Sequence, residues 1–246
     1  LTPRIPKPPC GGFLRLAEMV APLSAAVYPT PVYCVLMPPK QEYALKLYII
    51  RSACSLAAHI LVREAGLNID LVKVDLATKK LADGTPYSDI VPKGQVSAMT
   101  LENGELLTEN IAVLAYLSSL APEHNFMGTP GSMESFRVLE WLSFVSTEMH
   151  KQIYWTTFNT EAPRPYKAYL RTLLHKRFDT LARQLEKQDF IATGSFTAAD
   201  AYLTWALHLA GLLGETVTAW PALEAYRTRM FARSAVVQAL AFEAAD

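Results

Sequence analysis

The sequence predicts an α/β region followed by an all-α region, and three observations carry that reading. A strand, a helix and a second strand succeed one another between Leu45 and Leu76. Further on, Asn103-Gly104 separates two apolar runs, the strongest short-range signal for a hairpin. Beyond Gly131 the strand signals vanish and only helical periodicity remains.

The elements follow in order. Leu45-Lys46-Leu47-Tyr48-Ile49-Ile50 is a short, bulky, mainly apolar run that reads as a buried strand. Ser55 to Ala65 reads as a helix stopped by Gly66, and Ile69 to Leu76 as a second β-rich run. Strand, helix and strand at this length make a βαβ unit with parallel strands. After a variable segment, Val96 to Leu101, the turn Glu102-Asn103-Gly104-Glu105 and Leu106-Leu107 form the hairpin. Glu109 to Leu120 then reads as a helix, with Ile111, Leu114, Ala115 and Leu117 at core spacing, ending near Pro122.

The all-α region contains four helical patterns. Ser132 to Lys151 carries Met133, Phe136, Val138, Leu139, Leu142, Val145 and Met149 as its apolar set. Pro165 to Gln188 is amphipathic, Thr197 to Leu213 is nearly all apolar, and Pro221 to Arg233 closes the series. All four tryptophans lie here. Thr197 and Asp200 form Thr-x-x-Asp before an apolar run, a capping-box pattern in which Asp200 accepts from amides at the helix start. Loss of that cap in Asp200→Ala is expected to remove about 1 kcal/mol or more of stability.

Residues 1 to 43 do not belong to this pattern. Nine of the sixteen prolines fall in the first 39 residues, where they remove backbone donors and fix φ at short intervals. The segment reads as an extension, disordered or an artefact of the assigned start site, since Leu1 is not Met and Met37 stands just before the ordered pattern. Arg15, Glu18 and Pro22 interrupt its apolar stretch and argue against a secretory signal. The three domains expected are therefore the extension 1–43, an α/β domain at 44–122 and a helical domain at 131–246.

Composition narrows the function. With 23 basic and 23 acidic residues in 246, the chain has no net charge, which argues against nucleic acid as a partner. Three cysteines, Cys10, Cys34 and Cys54, are too few and too scattered for a disulfide framework or a zinc site, so no metal is expected and a reducing cytoplasm is the natural setting. The longest apolar run, Ala201 to Gly214, is broken by Thr204 and His208 and falls short of the roughly 20 residues that cross a bilayer, so no membrane partner is expected. Cys54 is the first candidate for chemistry. It lies between the opening strand and the first helix, where unpaired amides and the dipole stabilise a thiolate. The competing reading is a small buried residue with no chemistry.

Several strings resemble the bacterial beta-class glutathione transferases. These are Leu47-Tyr48-Ile49-Ile50-Arg51-Ser52-Ala53-Cys54-Ser55-Leu56-Ala57-Ala58-His59-Ile60, Val62-Arg63-Glu64-Ala65-Gly66, Val72-Lys73-Val74-Asp75-Leu76 and Pro92-Lys93-Gly94-Gln95-Val96-Ser97-Ala98. The order continues through Leu107-Thr108-Glu109-Asn110-Ile111-Ala112, Glu140-Trp141-Leu142, Glu148-Met149-His150-Lys151 and Phe196-Thr197-Ala198-Ala199-Asp200-Ala201-Tyr202-Leu203. The resemblance spans about residues 44 to 242 and implies a thioredoxin-like βαβ-α-ββα domain followed by a helical bundle. It implies glutathione as substrate, a small hydrophobic electrophile as second substrate, and a homodimer.

Roles carry over residue by residue. Cys54 matches the cysteine beside the glutathione sulfur, and His150 matches an imidazole that leans over that sulfur; these are the catalytic candidates. Lys79, Val96, Glu109, Asn110, His150 and Lys151 are the glutathione-binding candidates. Within this set Glu109 meets the ammonium, the amide of Asn110 meets the γ-glutamyl carboxylate, and Lys79 meets the glycyl carboxylate. Glu109 has a simpler reading as a helix cap. Tyr154, Trp155 and Phe158 are candidates for the second substrate. Thr197 and Asp200 are structural in the family as well.

Four positions depart from the pattern. Ser97 stands where the family has a cis-proline, Arg51 and Ser234 also replace prolines, and Asn110 replaces Ser or Gly. Either the Val96–Ser97 peptide is trans and the turn shifts, or the fold holds a cis bond before a non-proline residue. Two functions follow: an active transferase, or a transferase-fold protein that has lost the reaction and serves as a glutathione-binding or interaction module. Thiol–disulfide exchange at Cys54 is a third, without the second cysteine of a C-x-x-C pair.

Overall fold

The computed structural model describes residues 44–245. The extension, with Cys10 and Cys34, lies outside the described residues. The first region comprises β1 (Lys46–Ile49), α1 (Ser55–Glu64), β2 (Asp70–Lys73), the single turn α2 (Tyr87–Ile90), β3 (Ala98–Thr100), β4 (Leu106–Thr108) and α3 (Asn110–Leu120). The four strands form one sheet in the order β2-β1-β3-β4. As the βαβ pattern requires, β1 and β2 are parallel, with Leu47 opposite Leu71. The remaining pairs are antiparallel, with Leu47 opposite Met99 and Met99 opposite Leu107.

The pleat explains the continuous apolar run of β1. Leu47 and Ile49 point into the main core with α1 and α3, while Tyr48 and Ile50 point to the other face among Val74, Tyr87, Val91 and Ala98. A sheet buried on both faces leaves no solvent side for polar residues. The hairpin turn is longer than a two-residue loop: Leu101 N–H donates to the Glu105 carbonyl at 2.8 Å, and Gly104 takes φ 82°.

The second region holds α4 (Met133–Phe144), which winds on through a π-helical stretch (Val145–Tyr154) into α5 (Trp155–Phe158), then α6 (Arg164–Leu185), α7 (Ala198–Leu212), α8 (Pro221–Phe231) and α9 (Ser234–Ala244). Two findings correct the sequence reading here. The helix series does not close at Arg233, because Arg233 takes an extended conformation and α9 begins behind it. The apolar set of α4 is also split between two faces: Val138, Leu142, Val145 and Met149 are buried, whereas Met133, Phe136 and Leu139 are 64%, 54% and 41% exposed. Among the described residues no helix is long and apolar enough to cross a membrane.

α7 passes through the middle, buried along nearly its whole length and packed on α1, which joins the two regions. Its start is tied down by Asp200, whose Oδ2 accepts from the Thr197 amide and hydroxyl, both at 2.8 Å. Oδ1 accepts from the Ile191 amide at 2.8 Å and the Tyr226 hydroxyl at 3.0 Å. The capping pattern is present, and the carboxylate also fastens the preceding loop and α8.

Candidate functional site

The loop between β1 and α1 turns through Ser52, which takes φ 59°. Its three polar groups are gripped by the second region. Trp205 Nε1 donates to its carbonyl at 3.0 Å, its amide donates to Glu243 at 3.0 Å, and its hydroxyl meets His208 Nε2 at 3.2 Å. The loop delivers Cys54 to the N-cap position of α1.

Cys54 is free and buried, and its thiol donates to the Val96 carbonyl at 3.0 Å. Burial pushes this thiol up to about 12, against the pull of Lys151 and the amides of Cys54 and Ser97. Of the two readings the sequence left open for Cys54, burial favours the neutral thiol, because desolvation opposes the pull of the helix terminus. The Val96–Ser97 peptide is cis, which decides the alternative left open by the sequence. Ser97 is buried, and its hydroxyl donates to Asn110 Oδ1 at 2.6 Å.

Glu109 precedes α3 with φ 76° and makes no capping hydrogen bond. Its exposed carboxylate instead accepts from Lys93 Nζ at 2.8 Å, which holds the carboxyl below the usual range. The plain helix-cap reading of Glu109 is thus not what the fold uses.

His150 and Lys151 come from the π-helical stretch that overhangs this loop. His150 Nδ1 lies 2.7 Å from the Tyr202 hydroxyl, and its ring stands edge-on to Trp205 with centroids 4.6 Å apart. Burial, helped by Lys151, pushes the imidazole down to about 4, so it is neutral at pH 7. Nδ1 and the Tyr202 hydroxyl share one hydrogen bond, whose donor is set by the imidazole tautomer. Lys151 Nζ sits 4.8 Å from the Trp155 ring centre and donates to Gln95 Oε1 at 3.4 Å.

These groups face one cavity of about 1380 Å³. Lys79, Cys54, Val96, His150 and Lys151 line it, together with the apolar Tyr154, Trp155, Phe158, Leu209 and Leu212. Trp155 and Phe158 are exposed, but Tyr154 is buried with its hydroxyl donating to the Ala206 carbonyl at 2.8 Å, so it offers ring surface only. A smaller recess of about 100 Å³ continues from Cys54 and Val96 to Ser97, Glu109, Asn110, Ser146 and Tyr202. Thr197 and Asp200 line neither space. Among the described residues no group of three or more His, Cys, Asp and Glu side chains is placed to hold a metal.

Sequence reasoning had not singled out Tyr202 or Lys93, which orient His150 and Glu109. Both lie inside recognised strings, but their partners are 52 and 16 positions away, so no local spacing links them.

Known proteins resemble this chain over most of the described residues. Residues 138–234 match the model of the glutathione S-transferase C-terminal domain. The glutathione S-transferase GstA of Escherichia coli O157:H7 is 36% identical over 199 residues, covering 81% of this chain and 98% of that protein. A sphingomonad glutathione S-transferase complexed with glutathione is 36% identical with a TM-score of 0.78, covering 82% of this chain and all of that one. The beta-class enzyme of Sphingomonas chungbukensis is also 36% identical, with a TM-score of 0.77 over 81% of this chain and 98% of its own.

Proposed function

The chain belongs to the glutathione S-transferase family and is similar to its bacterial beta class, and from that premise we propose that it joins the thiol of glutathione to small hydrophobic electrophiles. The observation that carries this reading is that Cys54, Val96, His150 and Lys151 line a cavity shared with Trp155, Phe158, Leu209 and Leu212, and also line an adjoining recess with Glu109 and Asn110.

Glutathione lies with its sulfur beside Cys54. Its γ-glutamyl end reaches the start of α3, where Glu109 meets the ammonium and the amide of Asn110 meets the carboxylate. Lys79 and Lys151 serve the glycyl end. The imidazole of His150 and the charge of Lys151 stabilise the glutathione thiolate, and the Cys54 thiol, which at rest donates to the Val96 carbonyl, can turn toward it. They are preorganised, because Tyr202 holds the imidazole and the grip on Ser52 holds the loop. In the reaction the thiolate sulfur bonds to the electrophilic carbon, the leaving group departs with the bonding pair, and the thiol proton passes to solvent. Trp155, Phe158, Leu209 and Leu212 form the apolar wall that takes the second substrate.

The domain division at 44–122 and 131–246 follows the same reading, with 1–43 as an extension. A homodimer is part of it too, supported by the exposed apolar face of Met133, Phe136 and Leu139 on α4. The free thiol of Cys54 suits a reducing cytoplasm.

Retention on glutathione-agarose followed by conjugation to a generic aromatic halide tests the proposal. Retention with turnover is expected. Retention without turnover would leave a binding module, and no retention would remove the glutathione site altogether.

A further inference from the structure

The chain as a whole carries no net charge, yet the wall of its large cavity is cationic. Among the described residues Arg51, Lys73, Lys79, Lys80, Lys93 and Lys151 line it, against the carboxylates of Asp75 and Glu243. Both carboxylates are occupied. Asp75 accepts from the Thr78 amide and hydroxyl at 2.6 and 2.7 Å, and Glu243 accepts from the Ser52 amide at 3.0 Å and lies 3.3 Å from His59 Nδ1. Several of the cations are occupied as well. Lys93 holds Glu109, and Lys73 Nζ donates to the Ala245 carbonyl at 2.6 Å. Lys79 and Lys151 serve the glycyl end of glutathione in the reading above, and Lys80 stands next to Lys79 in the chain. That leaves Arg51.

Arg51 is exposed and has no ion-pair or hydrogen-bond partner among the described residues, whereas Arg171, Arg177, Arg229 and Arg233 each hold a carboxylate. Its base is rigid. The Ala53 amide donates to the Ile50 carbonyl at 2.9 Å, closing a turn with Arg51 and Ser52 at its centre, and Ser52 is gripped by Trp205, His208 and Glu243. The same grip sets where the turn stands, which is against α7. There Trp205, Leu209 and Leu212 line the cavity at i, i+4 and i+7, one face of the helix. Leu209 and Leu212 belong to the wall that takes the second substrate. A guanidinium beside such a wall is suited to a carboxylate, which its planar fork meets with two parallel N–H···O bonds.

We propose that Arg51 selects the second substrate: the electrophiles this chain prefers bear a carboxylate on their apolar body, and Arg51 binds it. The proposal rests on the transferase reading above and names the substrate class within it. The reacting step is the one already given, and the carboxylate takes no part in the making or breaking of bonds. A contact made equally before and during the reaction acts through KM.

Steady-state kinetics of the full chain with 4-chloro-3,5-dinitrobenzoate and its methyl ester test it, with electrophile and glutathione varied in turn. Each rate is divided by that of the uncatalysed reaction of the same compound with glutathione, which removes the difference in ring activation. Wild type is expected to show a kcat/KM about tenfold higher for the acid, as for one charge-assisted hydrogen bond. Arg51→Ala should raise KM for the acid by about that factor and bring the ratio near one. Arg51→Lys, which keeps the charge and loses the fork, should fall between. High salt should shrink the wild-type preference. Equal use of acid and ester by wild type, an acid preference that survives Arg51→Ala, or a rise in KM for glutathione instead of the acid overturns the proposal, while turnover keeps the transferase reading. If wild type turns over neither compound, both fall.

Discussion

Asp200→Ala removes one carboxylate from the start of α7, and its cost can be worked from the structure. Asp200 is fully buried, and it accepts from the Ile191 amide, the Thr197 amide and hydroxyl, and the Tyr226 hydroxyl at 2.8 to 3.0 Å. Ile191, Thr197 and Tyr226 are themselves buried, so water does not replace the lost acceptor. An ordinary N-cap contributes about 1 kcal/mol. Leaving a buried donor unpaired costs about 1–3 kcal/mol, and four donors lose their acceptor here. Because the four donors share one acceptor group, their losses do not add in full. The expected loss is about 4 kcal/mol, which for a chain of this size lowers Tm by roughly 8–16 °C. Urea denaturation followed by circular dichroism reads it as a lower midpoint at unchanged slope. Asp200→Asn, which keeps one acceptor oxygen, should fall between wild type and Ala. A loss of only about 1 kcal/mol in Asp200→Ala would refute the reasoning, reducing the carboxylate to a helix cap.

Three further expectations concern the site and the surface. The His150 imidazole is depressed to about 4 from its ordinary 6.5, so the unfolded chain takes up its proton first as pH falls. The contribution of His150 to stability is present above pH 6.5 and shrinks by about 2 kcal/mol between pH 7 and 5. Comparing urea midpoints at those two pH values, His150→Gln should show a smaller drop than wild type; an equal drop would mean the imidazole is not depressed. Cys54, with its thiol near 12, should resist iodoacetamide at pH 8, where its thiolate fraction is about one in ten thousand; rapid alkylation of the Cys54 peptide, read by mass spectrometry, would contradict its burial as a thiol. Phe136→Asp alters an exposed residue of α4 and should turn a dimer into a folded monomer in sedimentation; a variant that stays dimeric would move the interface elsewhere.

Much of the fold is legible along the chain because its signals are local. The run 45–50, the stop at Gly66 and the turn at Asn103-Gly104 each act within a few residues, and β1, α1 and the hairpin appear where those signals stand. Misreadings arise where the neighbour matters. Met133, Phe136 and Leu139 are as apolar as Val138 and Leu142, and only the placement of α4 against the rest of the chain separates the exposed set from the buried one. α9 escaped notice because Arg233 breaks the helix before it and its eleven residues lack a strong polar face.

The site divides in the same way. Sequence alone determined that Cys54 stands at a strand–helix junction, that His150 and Lys151 lie on a helix of the second region, and that Thr197 and Asp200 begin α7. Chain position and residue type suffice for that. The protonation states belong to the tertiary structure, because burial of Cys54 and His150 where the two regions meet sets their desolvation, which for Cys54 outweighs the α1 dipole. So does the meeting of Ser97 with Asn110 and of His150 with Tyr202: a hydrogen bond acts over about 3 Å, and which residues come that close depends on how the elements pack.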